Sequence, residues 1–348
     1  MVTARLNTHE QFMQRCLDLA ARGLGQVAPN PMVGCVITVD DVVIGEGFHQ
    51  KYGEAHAEVN AINSVADQSL LSKATLYVSL EPCSHHGKTP PCADLIIAKK
   101  IPHVVIGSND PNPLVAGNGI KKLKDAGVEV ITGVLKTEAD FLNRRFITFH
   151  TEKRPYLILK WGQSSDGFMA LNEPRQFWFT NSEAKKLMHK WRTEENGILV
   201  GRNTVAVDNC ELTARLWQGT NPVRMVIDRH LALDNHFKIF NAEAQTLVFN
   251  EKENAVIGNV HRIKIDFAAP VIPQILSELY RRQIQSVTVE GGPATLHEFI
   301  STGNWDEARV FTSAHILKEG KAAPKLNSSP AEEITIADNV LKIYYRPQ

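Results

Sequence analysis

Four residues of the chain combine types and spacings suited to chemistry. The stretch "AHAEVNAI" (55–62) sets His56 and Glu58 two apart at the start of an apolar-periodic segment, and "EPCSHHGKTPPC" (81–92) carries Cys83 and Cys92, the second sulfur directly behind two prolines. A catalytic zinc takes three protein ligands and keeps a fourth position for water. His56, Cys83 and Cys92 supply one nitrogen and two thiolates, which neutralise the divalent charge and let a water lose its proton near neutral pH. Glu58 is then left unbound as the proton carrier. Placing His56 and Glu58 at the opening of a helix points both toward the positive end of its dipole, where hydroxide and thiolate are favoured. Such a site suits hydrolysis of an amidine-like C–NH2. A purely structural zinc would need a fourth protein ligand, for which His85 or His86 would compete.

The elements that must position these residues follow from periodicity. Thr8 with Gln11 fits a capping box, and Phe12, Cys16, Leu17, Leu19 and Ala20 recur at helical spacing after it. Buried strands are predicted at 33–38, 41–47, 74–80 and 103–107, with helices near 55–66, 91–100, 117–126 and 136–149. The charged, proline-bearing "HTEKRPY" (150–156) reads as a linker, and a strand, "YLILKWG", follows at once. Further strands are predicted at 196–201, 222–228, 246–250, 286–292 and 307–313, and helices near 181–194, 271–282 and 293–301. Strands alternating with helices indicate α/β layers with a partly parallel buried sheet. Two domains are expected, 1–150 and 151–348, in keeping with a chain of 348 residues.

Lysine plus arginine and aspartate plus glutamate both number 38, so no broad basic field draws in nucleic acid or anionic lipid. A small-molecule substrate fits better, and a nucleic-acid-editing site, which needs a basic or aromatic channel, is disfavoured. No apolar run approaches the roughly 18 residues of a membrane span, and no signal-like segment opens the chain, so a cytoplasmic protein is expected. Five cysteines, an odd number, do not suggest a disulfide framework.

In zinc deaminases an H-x-E glutamate is no ligand; it moves a proton from water to the leaving amine. The usual signature has two residues between the cysteines, whereas Cys83 and Cys92 have eight. That longer loop, together with "PNPMVG" (29–34), "HAE" (56–58) and "DPNPLVAGNG" (110–119), resembles the deaminase half of bifunctional riboflavin biosynthesis proteins. The second half, with "GQSSDG" (162–167), "TVAVDNCELTAR" (204–215) and "VEGGPATL" (289–296), resembles their fused reductase. The resemblance implies a cytidine-deaminase-like α/β/α sandwich followed by a dihydrofolate-reductase-like α/β domain. It also implies deamination of 2,5-diamino-6-(5-phosphoribosylamino)pyrimidin-4-one, then NADPH-dependent reduction of the ribosyl group to a ribityl chain, in a homo-oligomer. Carried over, His56, Cys83 and Cys92 hold Zn2+ and Glu58 shuttles the proton. Asn30 and His49 resemble substrate contacts, and His85, Lys88 and Thr89 would face the phosphate.

In the second half, "VEGGPATL" ends a strand in glycines and enters a helix, so amides at Gly291 and Gly292 can approach a dinucleotide phosphate, although no G-x-G-x-x-G is present. By resemblance, Gly162, Trp178, Thr204, Asp208, Gly292, Pro293, Ala294 and Thr295 match cofactor positions. Gln176, Arg192, Leu212, Arg215 and Glu290 match substrate positions, the two guanidinium forks suiting a phosphate. This chain departs from the family's habit at Asp208-Asn209-Cys210, where Asp-Asp-Pro is common, and at Arg229, where serine is common. Those departures leave open an alternative in which only the deaminase half works.

Overall fold

The computed structural model describes residues 6–84, 90–112 and 116–347; His85, His86, Lys88 and Thr89 lie outside the described residues. The chain divides into two compact units, Met1–Lys153 and Arg154–Gln348. Among the described residues, no helix is long and apolar enough to cross a membrane.

Unit 1 runs α1 (Thr8–Ala21), β1 (Gly34–Val39), β2 (Val42–Phe48), α2 (Ala57–Ser64), β3 (Thr75–Leu80), α3 (Cys92–Ala98), β4 (His103–Ser108), α4 (Asn118–Asp125), β5 (Glu129–Thr132), α5 (Lys136–Leu142) and α6 (Arg144–Glu152). The sheet order is β2-β1-β3-β4-β5, with β1 antiparallel to both neighbours and β3, β4 and β5 parallel. Alternation along the buried strands builds two cores. Cys35 and Ile37 of β1, with Leu76, Val78, Val104 and Ile106, pack under Ala57, Ala61 and Ile62 of α2 and Ile96 of α3. Val36, Tyr77 and Val105 face the other way, against Met13, Cys16 and Leu19 of α1. The result is a helix–sheet–helix sandwich. Helix α2 lies so close on β2 that a Cβ at Gly47 would meet Ala61 N at 2.5 Å. That close approach sets how near the sheet the helix carrying Glu58 lies.

Three local expectations are corrected. The first helix is capped by Asn7, not Thr8: its side chain accepts from Glu10 N while the Glu10 carboxylate accepts from Asn7 N. The helix predicted over 136–149 is two helices broken at Asn143, whose side chain is engaged elsewhere. The stretch 150–156 is half helical, because α6 continues to Glu152 and ends at Lys153 with a left-handed φ of 55°. Arg154 is anchored in unit 2 by a two-pronged pair with Asp306 at 2.6 and 2.8 Å.

Unit 2 comprises β6 (Tyr156–Gln163), β7 (Phe168–Ala170), α7 (Ser182–Glu194), β8 (Gly197–Gly201), α8 (Arg202–Asp208), β9 (Val223–Ile227), β10 (Thr246–Asn250), β11 (Ala255–Ile257), β12 (Val260–Lys264), α9 (Val271–Arg281), β13 (Ser286–Val289), α10 (Pro293–Ser301), β14 (Glu307–Ser313), β15 (Lys321–Ala322), β16 (Glu332–Ile336) and β17 (Asn339–Tyr345). Its main sheet has ten strands, ordered β11-β12-β10-β9-β8-β13-β6-β14-β17-β16. The seven from β12 to β14 are parallel, and antiparallel strands close both edges. Leu199, Met225, Leu247, Phe249 and Val287 face Ile275, Leu279, Leu296 and Phe299 of α9 and α10. Ile198, Val200, Val226 and Val248 face Val205 and Leu212 on the opposite side. The strand predicted over 286–292 stops at Val289, which frees Glu290, Gly291 and Gly292 at its carboxyl end.

Candidate metal centre and substrate cluster

Sequence locality explains half of the metal centre. His56 is the residue immediately before α2, and Glu58 lies in that helix's first turn, 3 % exposed. Cys92 opens α3, whose first amides reach back to the end of β3: Cys92 N–H donates to Cys83 Sγ at 3.3 Å and Ala93 N–H to Cys83 O at 3.1 Å. Both sulfurs meet the same imidazole nitrogen, with His56 Nδ1 3.6 Å from Cys83 Sγ and 3.4 Å from Cys92 Sγ. Zn–S bonds of about 2.3 Å and Zn–N bonds of about 2.0 Å at a tetrahedral angle put sulfur and nitrogen about 3.5 Å apart. The two nitrogen–sulfur edges are therefore those of a zinc site, and the three donors all lie within 4.8 Å of one another. The Cys92 thiol holds the Cys83 thiol well below the ordinary thiol range, against its burial and with help from His56. Burial and then the Cys83 charge push the Glu58 carboxyl up to about 7.

Asn30 and His49 are brought to this centre. His49, 2 % exposed, sets its ring edge-on to His56 with centroids 5.3 Å apart. One ring nitrogen lies 3.0 Å from Ala55 O and the other 3.1 Å from Asn30 Nδ2. Sequence reasoning missed Glu81. At the end of β3, its buried carboxylate accepts the backbone N–H groups of Asp110, Gly117, Gly119 and Ile120 at 3.0–3.3 Å. Gly119 is obligatory there, since a Cβ would sit 2.0 Å from Pro82 O. Two residues before Cys83, Glu81 thus ties the connection after β4 to the cysteine strand; a carboxylate ending a buried strand was the available signal. Burial first, then the Glu81 and Cys83 charges, push the Asp110 carboxyl up to about 6.

In unit 2 the centre is a charge cluster. Glu290 receives Arg192 Nη2 at 3.1 Å and Lys160 Nζ at 3.4 Å, and all three side chains are 12–13 % exposed. Burial alone would raise the Glu290 carboxyl, but Lys160 and Arg192 overturn that and hold it at about 2. Arg192 also donates from Nη1 to Thr213 O, beside Leu212, whose φ is 60°. Its Nε is buried with no hydrogen-bond partner among the described residues. Burial, Arg192 and Arg215 lower His189 to about 4, and its Nδ1 accepts from Leu216 N at 3.4 Å. Lys160 and His189 were not anticipated; a lysine inside the apolar "YLILKWG" was the sign for the first.

The expected cofactor residues divide. Thr204, Gly292 and Thr295 gather where β8 and β13 end: a Cβ on Gly291 would lie 2.6 Å from Thr295 Cβ, and one on Gly292 3.8 Å from Thr204 Oγ1. Helix α10 starts there at Pro293, followed by Ala294, and Gly292 gives it no side-chain cap, so its first-turn amides lack that partner. Asp208 ends α8, its carboxyl raised by burial. A Cβ on Gly162 would lie 3.3 Å from Phe179 Cβ. Gln176 and Trp178 are exposed on the connection before α7, with Lys185 Nζ 3.9 Å above the Trp178 ring. Arg215 is half exposed and bonds Glu211 and Thr213.

The departures are absorbed locally. Asn209 takes the left-handed turn after α8 with a φ of 43° and accepts Lys238 N at 2.9 Å. Cys210 packs on the core beside Leu212. Arg229 pairs with Glu251 at the surface.

Comparison with known proteins agrees with this division. Residues 6–108 match the cytidine and deoxycytidylate deaminase zinc-binding region, and residues 155–332 match the RibD C-terminal domain. The chain is 39 % identical to the riboflavin biosynthesis protein RibD of Aquifex aeolicus, over 93 % of this chain and 92 % of that one. It is 40 % identical to RibD of Bacillus amyloliquefaciens, over 92 % and 88 %. Among solved structures, RibD of Acinetobacter baumannii superposes with a TM-score of 0.89 at 31 % identity, covering 98 % of this chain and 99 % of that one. A diaminohydroxyphosphoribosylaminopyrimidine deaminase/5-amino-6-(5-phosphoribosylamino)uracil reductase of Thermotoga maritima does so at 0.87 and 40 % identity, covering 97 % and 98 %. With both halves matched and the likeness running almost end to end, the chain belongs to the RibD family of riboflavin biosynthesis proteins.

Proposed function

We propose that the chain catalyses two consecutive steps of riboflavin biosynthesis: hydrolytic deamination of the diaminopyrimidinone that carries a phosphoribosylamino group, then reduction of its ribosyl group to ribityl. The observation that carries the reading is the convergence of His56 Nδ1 and the two cysteine sulfurs on edges of zinc size, with Glu58 buried beside them. Zinc held by His56, Cys83 and Cys92 supplies Lewis acidity and a water activated near neutral pH. Glu58, buried beside the donors, accepts the proton of that attacking water and delivers it to the departing amine. Oxygen replaces nitrogen on the ring carbon, and ammonia leaves. Asn30 and His49 orient the pyrimidine.

In unit 2, NADPH supplies the hydride. Gly292, Pro293, Ala294, Thr295 and Thr204 form the end of the cradle that receives its phosphates, with Gly162, Trp178 and Asp208 as further contacts. Arg192 and Arg215 grip the substrate phosphate with their guanidinium forks. Glu290, kept ionised by Lys160 and Arg192, orients the ribose hydroxyls, with Leu212 and Gln176 lining the substrate. None of the five cysteines is in a disulfide, which suits a reducing, cytoplasmic setting. The test is a two-stage assay on purified protein given the phosphorylated diaminopyrimidine, following ammonia release and NADPH oxidation separately. Both signals in sequence are expected; ammonia without NADPH oxidation would reduce the function to deamination.

A further inference from the structure

We infer that Asn143 is a positioning residue for the deaminase site: its side-chain amide clamps the loop that presents Asn30. The inference rests on Asn30 and His49 being substrate contacts, as proposed above. Asn143 stands where the 136–152 helical stretch breaks, and its side chain caps neither α5 nor α6. Instead Asn143 Oδ1 accepts Met32 N–H at 2.8 Å and Asn143 Nδ2 donates to Met32 O at 2.8 Å, across 111 residues of sequence. Both residues are buried, at 2 % and 6 % exposure. The amide thus reproduces one rung of a β-ladder against a loop that has no strand beside it. Satisfying both main-chain groups of a buried loop residue leaves that loop one register, because any shift strands a donor and an acceptor.

Two residues before Met32, Asn30 Nδ2 meets His49, which in turn bonds Ala55 O and sets its ring against His56. A line therefore runs from Asn143 by hydrogen bonds to Met32, along two residues of backbone to Asn30, and by contact to His49 at the wall of the metal centre. None of the three metal donors lies on it except through that ring contact. The zinc-binding region matched by family comparison ends at residue 108, so the clamp comes from chain beyond it. Misplacing Asn30 weakens substrate binding without touching Glu58 or the donor set.

The test is steady-state deamination by the full chain, with zinc content and reduction of the already deaminated substrate measured on the same preparations. Asn143→Ala is expected to raise KM for deamination about 10- to 100-fold while leaving kcat within about threefold, the scale of one stranded buried group. Zinc and reductase turnover should stay at wild-type levels. A clamp needed only for folding would lower the active fraction, cutting kcat and zinc together at unchanged KM, and that result overturns the inference. If Asn143→Ala does not accumulate as folded protein, Asn143→Asp, which keeps the acceptor for Met32 N–H, is read in its place by the same criteria. A double-mutant cycle with Asn30→Ala separates the inference from the reading beneath it. Non-additive KM effects support Asn143 acting through Asn30, and additive effects overturn it. If Asn30→Ala alone leaves KM unchanged, the substrate role of Asn30 fails, whatever Asn143 does.

Discussion

The two centres solve the same problem, holding polar groups inside an apolar fold, by opposite means. In unit 1 three donors meet at one point, and two helix starts, those of α2 and α3, deliver three of the four chemical residues. In unit 2 the polar groups come from β6, α7, the turn after β13 and the 209–217 connection, and they balance one another's charge rather than converge on a single point. A point-like site is made by local sequence and fails at single atoms. A distributed one is made by tertiary placement and should lose function in smaller steps.

The sharpest break in that comparison is at Glu58. Glu58→Gln keeps the shape but cannot take a proton, so deamination should fall about 100- to 10,000-fold with zinc and reductase activity intact. Loss of zinc in that variant, measured by metal analysis, would make Glu58 a ligand or a structural group instead.

Glu290 sets the next scale, through stability. Its folded carboxyl sits at about 2 against an ordinary 4.5, so its contribution is fully present above pH 4.5 and drains away as pH falls toward 2. The shift corresponds to about 3 kcal/mol. All five tryptophans lie in unit 2, so indole fluorescence reports its unfolding alone. In urea, wild type should exceed Glu290→Gln by most of that margin at pH 7 and by much less at pH 3. A gap independent of pH would mean that packing, not charge, holds the cluster.

Arg192→Ala should lower reductase kcat/KM by about 30- to 160-fold, the worth of a charge-assisted contact of about 2–3 kcal/mol. Ammonia release should be unchanged. Arg192→Lys should recover little, because the fork that spans Thr213 O and Glu290 is lost. Full recovery with lysine would reduce the role of Arg192 to a point charge.

The contrast also explains what could be read from the chain. His56, Glu58, Cys83 and Cys92 were legible because their chemistry and spacing are local, and three of them sit at helix starts. Asn143 was not: 136–149 reads as one helix, and the partner that breaks it is 111 residues away. Glu81 drew no reading because the four amides that end on it come from a distant connection. The β16–β17 hairpin went unseen because β16 is an edge strand with mostly exposed residues, so no apolar alternation marks it.

The smallest effects are expected where the chain departs from its family. Arg229 follows β9, is half exposed, and pairs with Glu251 at 2.7 Å while lying 5.4 Å from the Phe267 ring. A surface pair of this kind is worth about 0–1 kcal/mol. The neighbouring Asp228, not Arg229, organises the turn, accepting Ala232 N–H and Leu233 N–H. Asn209 already satisfies Lys238 N–H from its left-handed position, and an aspartate oxygen can accept the same bond. Arg229→Ser and Asn209→Asp should therefore each change the KM for NADPH by less than about threefold, with thermal stability altered by under about 1 kcal/mol. A tenfold change in that KM on Arg229→Ser would show that the guanidinium reaches the cofactor, and the distributed site would then extend past β9 to a residue now seen only as surface charge.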